Sequence, residues 1–92
     1  MTLLLKDPQA RIAHAFAWDD YLDGQILTAS AWSVFPVQTG GLVAEEAAFD
    51  LNRSSVMLSG GWPGQIYRIA NQVRLSDGQT EERSIFVRVE ER

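Results

Sequence analysis

The chain has 92 residues, 46% apolar and 22% charged, which suits one compact domain, leaves no room for two and does not make disorder the default. Twelve Asp and Glu against eight Lys and Arg leave a net charge of −4, the wrong sign for a protein that displaces counterions from phosphate. Cysteine is absent, which excludes disulfides, thiolate nucleophiles and zinc–thiolate sites and fits a reducing cytosol.

The N-terminus reads Leu3-Leu4-Leu5-Lys6-Asp7-Pro8. Three leucines with no preceding basic residue do not make a signal peptide, and no run approaches the ~20 apolar residues of a membrane span. The expectation is a soluble protein that leaves the ribosome in its final form. Residues 1–10 read as an N-terminal arm and 11–92 as the domain proper. Leu3, Leu4 and Leu5 need cover, either along the domain's own sheet edge or on a neighbouring subunit.

Arg11 to Trp18 alternates, with Ile12, His14, Phe16 and Trp18 on one face and three alanines on the other. Aromatic residues at period two predict a strand. Asp19 to Gly24 breaks the pattern as an acidic loop. Gln25 to Trp32 predicts a second strand, small or apolar on both faces. Val34, Phe35 and Val37 continue it, and Pro36 makes that piece an edge or a bend. Thr39-Gly40-Gly41 is a turn. Leu42 to Asp50 is read as a strand, although Glu45-Glu46-Ala47-Ala48 has local helical character without helix caps. Leu51 to Ser54 is a loop. Ser55 to Ser59 is a short strand with Val56 and Leu58 inward.

Gly60-Gly61-Trp62-Pro63-Gly64 is a compact corner. Gln65 to Leu75 is the strongest strand: Tyr67, Ile69, Asn71 and Val73 share one face, Ile66, Arg68, Ala70 and Gln72 the other. Ser76-Asp77-Gly78-Gln79 is a hairpin turn with glycine where a positive φ is needed. Arg83 to Glu90 closes the chain, with Ile85, Val87 and Val89 inward and Phe86 outward. About seven short strands between turn signals predict an all-β, immunoglobulin-like antiparallel sandwich.

Chemistry has little to work with. His14 is the sole histidine and lies on an aromatic face, so it reads as structural. Asp19, Asp20 and Asp23 could offer oxygens to a hard cation, but they lack the spacing of a dedicated calcium loop and read as a solvated turn. No nucleophile elbow is present, and the glycine corner precedes a strand rather than a helix, which rules out a phosphate loop. We expect no catalytic residue, no cofactor and no metal. Trp62 is either folded over the core edge or offered to a partner. Tyr67 sits where a tyrosine can tie a corner by bonding backbone upstream. Gly60, Gly61, Gly64, Tyr67, Asp77 and Gly78 are therefore assigned structural roles.

The set Gly60-Gly61, Gly64, Tyr67, Asn71, Ser76-Asp77-Gly78, Glu82-Arg83-Ser84, Val87 and Val89 resembles small tail proteins of bacteriophages and prophages, the phage fiber–tail adaptor type. Lys6-Asp7-Pro8, Trp18 and Tyr21-Leu22 are similar to the opening of those sequences. Residues 34–53 carry no part of the resemblance. It implies a non-catalytic virion component with an immunoglobulin-like fold, made in the bacterial host cytoplasm and located in the tail region. It also implies partners among tail, neck or fibre proteins and repeated copies in a ring. It supplies no binding residues. The residues themselves nominate Leu3, Leu4, Leu5, Trp62 and Phe86 as interface groups, since each is apolar where solvent is expected. The alternative reading is a carbohydrate- or surface-binding module with Trp32 and Trp62 as stacking platforms.

Overall fold

The computed structural model describes residues 3–91. Seven strands and one helical turn follow in the order β1 (Leu3–Lys6), β2 (Arg11–Ala17), α1 (Asp19–Leu22), β3 (Leu27–Phe35), β4 (Val43–Phe49), β5 (Arg53–Ser59), β6 (Ile66–Leu75) and β7 (Thr80–Val89). They build two sheets, β1-β7-β6-β3 and β2-β5-β4. All pairings are antiparallel except that of β1, which runs parallel to β7. The apolar arm thus lies along its own domain's edge. The molecule is elongated, 42 × 22 × 18 Å.

The core follows from strand alternation. Tyr67, Ile69 and Val73 from β6 and Ile85, Val87 and Val89 from β7 are all nearly inaccessible to solvent. They meet Phe16, Val56 and Leu58 from the other sheet. Such layering is what two half-apolar sheets must do to remove their inner faces from water.

Two features break the simple alternation. A register irregularity between Leu27 and Ala29 lets β3 bury Leu27 and still turn Trp32 and Val34 inward. The alternation predicts opposite faces for Leu27 and Trp32; the bulge reconciles them, because an extra residue shifts the face by one step. In β4 the register shifts between Glu45 and Ala48, and Glu46 adopts φ of 51°. Nearly every β4 side chain is solvent-exposed, so this strand contributes little to the core. The acidic segment after Trp18, read as a loop, forms the four-residue turn α1, which buries Leu22.

The two sheets are also linked through polar groups. Trp18 Nε1 donates to Ser54 Oγ at 2.9 Å, and Ser54 Oγ donates to Asn71 Oδ1 at 2.5 Å. Asn71 Nδ2 then donates to Ser30 Oγ and to the Ala31 carbonyl. The chain of bonds crosses from Trp18, just after β2, and β5 to β6 and β3. Arg83 closes the flank beside it, with its guanidinium 4.5 Å from the centre of the Phe16 ring and donating to the Ala17 carbonyl.

Candidate docking surface

One end of the sandwich is organised by the glycine corner. The residues flanking that corner bond one another: Gly64 N donates to the Val89 carbonyl and Gln65 N to that of Trp62. Gly61 adopts φ of 110°, and a Cβ there would stand 2.6 Å from Val89 Cγ2. Only glycine meets both the backbone and the space requirement.

Tyr67 fastens the corner. Its hydroxyl accepts from Trp62 N at 3.0 Å and donates to Gln38 Oε1 at 2.7 Å. Lys6 fastens the other side. Its side chain is almost wholly buried, and Nζ donates to the carbonyls of Gly60 and Asp7. Burial holds the ammonium below its ordinary pKa, with the neighbouring Asp7 opposing that shift. At the far end, Asp77 Oδ1 accepts from Gln79 N and Gly78 has φ of 92°, which closes the β6–β7 hairpin.

The nominated interface residues do not all lie together. Leu3 and Leu5 are about half exposed on the outer side of β1, whereas Leu4 packs against the core. Register pairs Leu3 with Phe86, so these two sit side by side on the outer face of the four-stranded sheet. Phe86 is only partly exposed. Trp62 lies at the corner, 50% exposed, with Nε1 donating to the Thr39 carbonyl. Its ring is therefore oriented by a bond and still offers a face to solvent.

Three further apolar residues, with little signal in the sequence pattern, stand in solvent: Phe35, Val37 and Ile66 are exposed by 72%, 89% and 46%. Ile66 was legible in part, as the lone large aliphatic on the otherwise polar or small face of β6. Phe35 joins Phe86 through Arg68, its partner on β6, and that pairing is long-range.

The alternative tryptophan platform does not form. Trp32 faces the space between the sheets and stacks on Phe16, with ring centres 5.6 Å apart and planes 9° from parallel. It shares no outer surface with Trp62. His14 is half-buried and meets Phe16 edge-on at 4.9 Å. Desolvation, and behind it the charge of Arg83, hold its imidazole below the usual histidine pKa. Asp19 accepts from Asn52 Nδ2. Among the described residues no group of three or more His, Asp or Glu is placed to hold a metal ion. None of their helices is long and apolar enough to cross a membrane.

Two facing sheets with Greek-key-like exchange of strands define the class: an immunoglobulin-like β-sandwich. A solved structure of that class, titled "Solution structure of the PKD domain from KIAA 1837 protein", aligns with 99% of this chain and 82% of its own. The TM-score is 0.65 and the sequence identity 15%. At that identity the likeness speaks for fold alone. No individually curated protein matches the chain. Residues 6–88 match the family Gp77, described as "Podophage GP4 fiber-tail adaptor protein gp77". The chain belongs to that family.

Proposed function

We propose that the protein is a non-catalytic structural component of a phage or prophage virion, an adaptor that joins tail or neck to fibre through protein–protein contacts. The family match over residues 6–88 carries this reading. The surface supports it, since Leu3, Leu5, Phe35 and Ile66 are exposed on one sheet and Trp62 at the corner. Exposed apolar groups that share a face, rather than standing singly, are a mark of protein contact. In this reading Leu3, Leu5, Phe86 and Trp62 touch the partner, and Leu4 anchors β1 from within. The location is the virion tail, after synthesis in the bacterial host cytoplasm.

The test is reconstitution. Purified full-length chain is mixed with the tail and fibre proteins encoded beside it, and complexes are sought by sedimentation velocity. Virions are then examined for the chain by mass spectrometry. The reading expects a complex containing a tail or fibre protein and the chain present in the particle. Absence of both would overturn it.

A further inference from the structure

The sheet registers place the exposed apolar residues in two adjoining rows on the outer face of the four-stranded sheet. The first row runs Leu3–Phe86–Arg68–Phe35 across all four strands. The second runs Leu5–Arg88–Ile66 across three. From the fractional exposures these residues present on the order of 400 Å² of apolar surface, within the 300–600 Å² of the largest patch on a monomer. That is about half of the ~800 Å² one partner buries in a standard interface.

The two arginines specify the chemistry. In a chain with net charge −4, Arg68 and Arg88 stand inside the apolar rows. Each has one carboxylate contact, Arg68 Nη2 with Glu82 at 3.4 Å and Arg88 Nε with Glu90 at 2.9 Å. A guanidinium has five N–H donors, so each retains capacity for a further acceptor. Both side chains are nearly half exposed, so exchanging these intrachain contacts for intermolecular ones costs little. In a second copy stacked face to face, Glu82 and Glu90 would already be engaged by that copy's own arginines, so self-pairing offers these guanidinium groups no carboxylate free of a partner.

We propose that this face docks onto another protein whose surface is apolar at its centre and carries carboxylates opposite Arg68 and Arg88. The inference rests on the adaptor reading and assigns that adaptor one of its two contacts. The burial of guanidinium–carboxylate pairs inside an apolar ring gives register and orientation as well as attachment.

The experiment uses the full chain and the purified tail and fibre proteins encoded beside it, with binding read by biolayer interferometry. Arg68→Glu/Arg88→Glu is expected to weaken the complex at least tenfold, and Phe35→Ser at least fivefold. Wild-type affinity should fall as NaCl is raised from about 50 to about 500 mM, the signature of charge pairing. Circular dichroism melts confirm that each variant folds; Arg68→Ala/Arg88→Ala replaces the reversal if it does not. Folded variants that bind as tightly as wild type overturn the docking face and leave the adaptor reading standing. A wild-type dimer that these substitutions dissolve also overturns it, by making the occupant a second copy. Failure of every tail and fibre protein to bind wild type overturns both readings.

Discussion

The Tyr67 hydroxyl serves two neighbours at once, a backbone N–H from the glycine corner and the side chain of Gln38. Removing it leaves Trp62 N without its acceptor at a partly buried site, and an unmade bond of that kind costs about 1–3 kcal/mol. Tyr67→Phe is therefore expected to lower unfolding free energy by that amount in urea titration, with an unchanged m-value. Hydrogen exchange at Trp62 N should speed up more than exchange in β7. His14 offers a second residue-scale test. Its pKa is depressed in the folded state by burial and by Arg83. The unfolded chain then binds the proton more readily, beginning near the ordinary value of about 6.5. Stability should accordingly be constant above that pH and fall as pH drops through the window down to the folded pKa. In His14→Gln this part of the pH dependence should flatten in melts taken between about pH 7 and 5.

At the scale of the element, the glycine corner makes a graded prediction. Gly60 and Gly64 both have positive φ, yet a Cβ on Gly60 would lie 2.8 Å from the Gly41 carbonyl oxygen, while one on Gly64 meets nothing within 4 Å. Gly64→Ala should cost about 1 kcal/mol, the backbone term alone. Gly60→Ala adds a backbone clash and should cost at least twice as much by equilibrium unfolding. Both substitutions lie in an element that sequence reasoning could place, because glycines next to an alternating strand have few uses. β6 and β7 were legible for the same reason: β6 buries one complete face and β7 the second half of one, so Tyr67, Ile69 and Val73, or Ile85, Val87 and Val89, recur at period two. β4 was hard to read because its side chains are mostly exposed, which leaves Glu45 to Ala48 no alternation to display. The inward turn of both Leu27 and Trp32 was not legible, since the irregularity between Leu27 and Ala29 is a property of pairing rather than composition. The docking face stayed hidden on similar grounds. Leu3, Phe86, Arg68 and Phe35 are distant along the chain and become a row only when three strand registers are known. Lys6 stands in the Lys6-Asp7-Pro8 opening, but its bond to the Gly60 carbonyl spans 54 positions and has no local signature.

At the scale of the whole molecule, the proposed adaptor role asks that the two sheets keep a fixed relation, so that surfaces on each stay in register. Hydrophobic burial is non-directional, whereas hydrogen bonds fix both distance and angle. The Trp18–Ser54–Asn71–Ser30 chain supplies such bonds across the interior, and both N–H donors of Asn71 are used. Low local dielectric strengthens each bond and raises the cost of losing one partner. Asn71→Ala should destabilise by about 2–4 kcal/mol, from the lost contacts and the stranded carbonyl and hydroxyls. Ser54→Ala should cost less, since one hydroxyl is lost. The double substitution should fall short of the sum of the two by about 0.5–3 kcal/mol, the range for residues in one hydrogen-bonded network. A double-mutant cycle in urea measures this directly. If the two losses simply add, Ser54 and Asn71 act separately, and the interlock between the sheets reduces to the packing of Phe16, Val56 and Leu58 against β6 and β7.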